Sequence, residues 1–79
     1  MPIVTCHVQK VSERPVRNGV KFDIHPQEAP PPPWSPVYET FDEWTASLCA
    51  RAMAMGFPVT LGLRETKFGL EIVSAERAA

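Results

Sequence analysis

The stretch IVTCHVQKVSE, residues 3–13, decides the fold class, because its apolar residues alternate and then slip by one position. Every second residue from Val4 to Val8 is apolar, which is typical of a strand with one buried face. The next apolar residue, Val11, comes three positions after Val8. One extra residue near Gln9 is what a β-bulge inserts, and a bulge bends its strand. The stretch therefore predicts a long, bent first strand, as strongly coiled small sheets require.

Two β-hairpins follow from the turn signals on either side of the middle of the chain. Asn18-Gly19 lies in a polar turn and tolerates positive φ, which makes it a strong hairpin signal. Residues 20–25 then alternate apolar and polar side chains and return along the first strand. Residues 58–75 alternate in the same way around a polar turn at 65–67, and they predict a second hairpin.

One helix is predicted between the hairpins. Thr40 and Glu43 have the spacing of a capping box, in which each side chain bonds the backbone N–H of the other residue. The helix is expected from about 41 to 55, and Gly56 is suited to end it. Apolar residues at three- and four-residue spacing predict its buried stripe: Phe41, Trp44, Leu48, Ala52 and Met55.

The segment 26–36 interrupts this pattern, because it holds six of the nine prolines. Proline donates no backbone hydrogen bond, so the segment is expected to be a loop with a polyproline II strut at 30–33. Residues 34–39 are expected to form a short edge strand before the helix. The whole chain, 1–79, is predicted to be a single domain with a frayed tail at 76–79.

The element order, two strands, a short strand, a helix and two strands, predicts a mostly β, α+β fold. It resembles the OB-fold (oligonucleotide/oligosaccharide-binding) superfamily, a small five-stranded barrel with one helix between strands 3 and 4. This resemblance covers residues 3–75 and rests on element order and hydrophobic pattern, without a diagnostic motif. The alternative is a two-layer sandwich, with one helix on a four- to five-stranded antiparallel sheet.

Composition excludes several classes of protein. Hydrophobic residues are 44% and charged residues 22% of the chain, so wholesale disorder is not expected. A net charge of −1 disfavours a strongly basic binder of the histone type. The apolar runs are too short to span a membrane, and the first residues have no secretory signal, so a cytoplasmic location is expected.

Few residues suggest catalysis or metal binding. Cys6 and Cys49 are far apart in sequence and are expected to be reduced and buried. No Cys and His residues have the spacing of a zinc site, and no glycine-rich loop suggests phosphate binding. Asp23 and His25 share a strand face, where a surface pair is the ordinary arrangement. The chain is therefore predicted to be non-enzymatic, with no metal and no cofactor.

The distribution of charge is more informative than its sum. Six of the eight cations lie on the two hairpins and a seventh, Arg77, lies just after the second, and five of them surround the turns: Arg14, Arg17, Lys21, Arg64 and Lys67. In an OB-like barrel these turns flank the ligand groove, so the resemblance implies weak, sequence-tolerant binding of single-stranded DNA or RNA. Trp34 and Tyr38 are the candidates for base stacking. The competing interpretation is that exposed turns collect charge for solubility.

A protein-interaction module is the alternative function. Residues 29–36 read APPPPWSP and contain P-x-x-P twice, through Pro30, Pro33 and Pro36. Such segments dock into aromatic grooves of partner domains, and Trp34 would extend the contact. The same prolines would also suit a rigid loop that only positions Trp34. Self-association through an exposed edge beside Trp34 and Tyr38 is a third possibility.

Overall fold

A computed structural model describes residues 2–27 and 37–78, which form one six-stranded sheet and one helix. The elements are β1 (Ile3–Cys6), β2 (Val8–Val16), β3 (Gly19–Pro26), β4 (Tyr38–Thr40), α1 (Glu43–Met55), β5 (Val59–Thr66) and β6 (Gly69–Arg77). The strand order across the sheet is β1-β5-β6-β4-β3-β2. Neighbours are antiparallel except β4 and β6, which are parallel. The mostly β, α+β class predicted from the sequence is confirmed.

The closed five-stranded barrel is wrong for the described residues, because the sheet has six strands and is not closed. The predicted first strand is interrupted at His7, and its two parts lie at opposite edges of the sheet. β1 pairs with β5, whereas β2 pairs with β3. The register shift between Val8 and Lys10 confirms the predicted bulge. The antiparallel sandwich is also wrong in detail, since this sheet is mixed.

The short strand before the helix lies inside the sheet. β4 pairs with β3 on one side and with β6 on the other, so the predicted edge strand is wrong for Tyr38 and Glu39. Tyr38 and Thr40 are buried, and this proline-free stretch can supply ladder hydrogen bonds in both directions. The predicted polyproline strut falls in 28–36, outside the described residues. β3 continues to Pro26, where the predicted loop was expected to begin.

Helix α1 begins two residues later than predicted. Its N-cap is Asp42, whose carboxylate accepts hydrogen bonds from the Thr45 backbone N–H at 3.0 Å and the Thr45 hydroxyl at 2.7 Å. These bonds stabilise the carboxylate and lower the pKa of Asp42. The predicted capping box is therefore wrong, because the Thr40 hydroxyl instead accepts from the Asp42 N–H at 3.0 Å. Gly56 ends the helix with φ of 77°, as predicted.

The buried side of α1 agrees with the predicted stripe at Ala52, which is in the core, and at Leu48, which packs against it, but not at the three larger members. Phe41, Trp44 and Met55 are 57%, 64% and 67% exposed. The residues that face the sheet are mostly small: Thr45, Ala46, Cys49 and Ala52. Small side chains let a helix approach a sheet closely. Helix α1 therefore packs its small residues against the sheet, while Trp44 and Met55 lie on the exposed side.

The core lies between α1 and one face of the sheet, where Ile24 and Leu61 are fully buried. Both cysteines are buried thiols that form no disulfide with each other, and burial raises the pKa of Cys49 to about 11. β6 runs to Arg77, and the Ala78 N–H bonds the Pro58 carbonyl at 3.0 Å, so the predicted fraying does not occur at 76–78. In the described part of the chain, no helix is long and apolar enough to cross a membrane.

Candidate functional site

Charged residues line up across the sheet on the face opposite the helix. Asp23 is directly opposite Glu39, Glu39 is opposite Glu71, and Glu71 is opposite Arg64, on four adjacent strands. Side chains of directly opposed residues point to the same side of a sheet. We call this surface the outer face and define it by these residues together with Arg14, Lys21, Phe41, Lys67 and Phe68.

Ion pairs neutralise three of the five predicted binding cations. Arg14 contacts Asp23 at 2.9 Å and Glu39 at 2.7 Å, and its hydrogen bond to Asp23 and the Asp23 charge raise the pKa of Arg14. Lys21 contacts Glu39 at 2.9 Å, and these two side chains are only 14% and 12% exposed. Arg64 contacts Glu71 at 2.9 Å. These carboxylates reduce the attraction of the outer face for phosphate.

Two exposed aromatic rings stand beside the cations. The Lys21 Nζ lies 5.2 Å from the centroid of Phe41 and 6.0 Å from the centroid of Phe68. The Lys67 Nζ lies 5.1 Å from the centroid of Phe68. Distances of this size are typical of cation–π contacts. One lysine of the first hairpin is therefore flanked by rings from two other parts of the chain.

The contact of Lys21 with Phe68 joins strand β3 of the first hairpin to the turn of the second hairpin. Phe68 belongs to the turn between β5 and β6, whereas Lys21 belongs to β3. A Cβ atom added at Gly69 would lie 3.8 Å from the Glu39 carboxylate, so this turn also approaches β4. Lys21, the two rings and the second turn therefore form one continuous surface. The first turn, Arg17-Asn18, lies at the other end of the sheet, because β3 runs antiparallel to β4 and β6, so the predicted convergence of the two basic turns is wrong.

The remaining predicted site residues are placed differently. Arg17 is exposed in the first turn and has no ion pair with a carboxylate of the described residues. Tyr38 is a core residue, 7% exposed, and burial raises the pKa of its hydroxyl, so its proposed stacking role is wrong. The other candidates lie outside the described residues: Pro30, Pro33, Trp34 and Pro36.

Sequence reasoning assigned Phe41 and Phe68 to apolar, inward faces. Thr66 pairs with Gly69, so the second turn consists of Lys67-Phe68 rather than 65–67. A residue in a two-residue turn projects from the sheet, which leaves Phe68 74% exposed. The signal that could have placed it is Gly69, which adopts φ of 138° directly after the turn, as Gly19 does in the first hairpin.

The pair Asp23 and His25 and the possible metal ligands can be placed within the described ranges. The Asp23 carboxylate accepts a hydrogen bond from Arg14, whereas the His25 Nε2 lies 3.3 Å from the Ser12 hydroxyl. Asp23 and His25 therefore contact different residues. Within residues 2–27 and 37–78, no three His, Cys, Asp or Glu side chains are grouped to hold a metal ion.

Comparison with known protein families, curated proteins and solved structures finds no match to this chain.

Proposed function

We propose that this protein binds single-stranded nucleic acid weakly and with little sequence preference through the outer face. The observation that carries the proposal is the contact of Lys21 with two exposed rings, Phe41 and Phe68, beside a second cation, Lys67. Exposed rings next to cations suit a single strand, because bases stack on the rings while the cations attract the backbone phosphates.

Each part of this surface has a separate role. Stacking on Phe41 and Phe68 contributes about 1–3 kcal/mol per base and tolerates any sequence, since every base has a π-face. Lys67 is free of carboxylate partners in the described residues and attracts phosphate directly. Arg17 is likewise free of such partners, but it lies in the first turn, outside the outer face. Glu39 and its neighbouring carboxylates oppose this attraction, so the proposed affinity is low.

The strand connections support an OB-like arrangement as part of the same proposal. If β1 and β2 are taken as one bent strand, the chain has five strands, with the helix between the third and the fourth. The third and fifth strands of that count are the parallel pair, β4 and β6. In OB-fold proteins this order places the ligand on the second and third strands and on the two hairpin loops. The outer face includes Asp23 of the second strand and Glu39 of the third strand in that count, which supports the proposal.

Fluorescence anisotropy with a labelled oligothymidylate of about twelve nucleotides tests the proposal. We expect binding at about 50 mM salt and a large loss of affinity at about 200 mM, because counterion release weakens phosphate contacts. Phe68→Ala should lower the affinity about 5- to 100-fold, the equivalent of one lost stacking contact. Trp44→Ala is the matched control, since Trp44 is an exposed aromatic on the helix and outside the outer face.

Three results would contradict the proposal. The first is no binding at 50 mM salt, where electrostatic contacts are strongest. The second is an equal effect of Phe68→Ala and Trp44→Ala. The third is an affinity that does not change with salt.

The protein-interaction alternative stays a prediction of the sequence, because Pro30, Pro33, Trp34 and Pro36 lie outside the described residues. Replacing Pro30–Pro33 by a flexible linker should release a partner in a pull-down assay if the polyproline segment is its ligand. Retention of the partner by this variant would show that the prolines have only a structural role.

A further inference from the structure

A groove of about 380 Å³ lies between strand β2 and helix α1, on the side of the sheet opposite the outer face. Its apolar lining comes from Val11 and Phe22 on the strands and from Ala46 and Ala50 on the helix. Its ionisable lining residues are Glu13 and Glu43, and no cation lines it. The groove therefore combines a small apolar surface with two negative charges.

The strand that borders this groove has an edge to which no other described strand is paired. Among residues 2–27 and 37–78, β2 is the last strand of the sheet and pairs only with β3. Val16 and Gly19 flank a two-residue turn, which makes them a hydrogen-bonded pair of the antiparallel ladder. Hydrogen-bonded and non-hydrogen-bonded pairs alternate along such a ladder. Val11 and Glu13 are therefore at non-hydrogen-bonded positions.

The backbone N–H and C=O groups of Val11 and Glu13 consequently point away from β3. In the described ranges no backbone hydrogen bond reaches them from that side. Pro15 occupies the next such position and has no N–H, so the edge available for pairing ends there. A short edge with outward backbone groups beside a groove is the geometry that strand addition uses.

We propose that this edge and groove bind an extended basic segment of a partner protein, which adds as a strand beside Val11–Glu13. Its backbone pairs with the free groups of β2, while an arginine or lysine side chain enters the groove. The aliphatic stem of that side chain packs on Ala46 and Ala50, and its charge approaches Glu13 and Glu43.

Charge decides between the occupants that could reach this edge. A nucleic acid would place phosphates near the carboxylates of Glu13 and Glu43, which repel them. A second copy of the chain would bring its own Glu13 and Glu43 to the contact, and like charges at short range disfavour it. A basic peptide neutralises both groups. The site is independent of the outer face, because it lies on the other side of the sheet.

A titration of the full, ¹⁵N-labelled chain with a capped hexapeptide of alternating arginine and valine tests this proposal. We expect amide shifts at Val11–Glu13 and at Ser47–Ala50, and at least tenfold weaker binding of the matched glutamate–valine peptide. N-methylation of alternate residues of the arginine peptide should also weaken binding at least tenfold, because it removes the N–H groups that strand addition requires.

Paired variants separate the groove from a general charge effect. Glu13→Arg should lower the affinity for the arginine peptide at least fivefold. Glu76→Arg makes the same charge change at an exposed β6 position outside the groove, and it should change this affinity less than twofold. Phe68→Ala should leave peptide binding unchanged, so failure of this proposal is distinguishable from failure of the nucleic-acid proposal.

Any of three results would overturn the strand-addition site. One is an equal effect of Glu13→Arg and Glu76→Arg on the affinity. Another is a shift map centred on Lys21 and Phe68. The third is a set of shifts at Val11–Glu13 that depends on protein concentration without peptide, which would identify a second copy as the occupant.

Discussion

The two faces of the sheet shield their residues by different means. On the helix-covered face, Ile24 and Leu61 are fully buried by apolar packing. On the outer face, Lys21 and Glu39 are nearly as inaccessible, at 14% and 12% exposure, but they are held by ion pairs beside exposed rings. Apolar packing contributes most of the stability of a small domain, whereas the outer face places charges and rings for contact. The comparison predicts that the outer face can be altered without unfolding the protein.

Truncation of the core should have the largest effect. Leu61→Ala is expected to lower the free energy of unfolding by about 2–5 kcal/mol, because it removes buried methyl groups and leaves a cavity. Phe68→Ala on the outer face should change it by less than about 0.5 kcal/mol. Urea denaturation followed by circular dichroism measures both values. Equal destabilisation by the two variants would contradict the claim that the core contributes more to stability than the outer face.

Removal of the central carboxylate of the outer face should change stability and binding in opposite directions. Glu39→Gln leaves the half-buried Lys21 ammonium without its carboxylate, which should lower the free energy of unfolding by about 1–3 kcal/mol. The same change frees Lys21 for phosphate and leaves Arg14 paired with Asp23 alone, so oligonucleotide affinity should rise. Glu71→Gln is the control, because it frees only the more exposed Arg64. A lower affinity of Glu39→Gln would show that these cations do not face the ligand.

The core cysteine should respond to pH in the direction set by its raised pKa. The pKa of Cys49 rises from 9.0 to about 11, because burial disfavours the thiolate. Folding therefore favours the protonated thiol, and its contribution to stability is complete below pH 9 and is lost as the pH rises toward 11. In a Cys6→Ala background, a disulfide reagent should label Cys49 slowly at pH 8 and faster at higher pH. Rapid labelling of the folded protein at pH 8 would contradict the burial of this thiol.

The helix cap should give the smallest effect. The pKa of Asp42 is lowered by its bonds to Thr45, so the cap stabilises the helix above the ordinary pKa of an aspartate and is lost as the pH falls through the lowered value. Asp42→Ala should lower the melting midpoint slightly at pH 7 and have less effect at pH 2. Asp42→Asn should retain most of the cap without that pH dependence. Thermal melts at the two pH values test this, and an equal loss for both variants would argue against the cap.

Local signals in the sequence predicted the local parts of the fold. The bulge near Gln9 and the end of the helix at Gly56 each depend on a few neighbouring residues, and both are confirmed. The first hairpin also forms, but its turn consists of Arg17-Asn18 and Gly19 begins β3, one position earlier than the Asn18-Gly19 signal predicted. The parallel pairing of β4 with β6 depends on residues that are far apart in the chain, which periodicity cannot show. The orientation of α1 was mistaken because apolar residues occur on both sides of it, and the smaller ones face the sheet.

The candidate site was predictable in its cations and unpredictable in its contacts. The basic character of the two turns is visible in the sequence, and hairpin chemistry places Arg17 and Lys67 at their tips. The pairing of Arg14 with Glu39 requires the register of three strands, and one of them, β4, lies outside the hairpin that contains Arg14. Phe41 is exposed because the helix cap is Asp42 rather than Thr40, so Phe41 precedes the helix. Phe68 is exposed because it lies in the second turn rather than in the strand that follows it.

The most direct test of the account is a map of oligothymidylate binding on the ¹⁵N-labelled chain at about 50 mM salt. The account predicts that the largest amide shifts occur at Lys21, Lys67, Phe68 and Gly69, where the two hairpins meet, with little change at Val11–Glu13. Largest shifts on α1 or in the groove beside β2, or no shifts at this salt concentration, would contradict it.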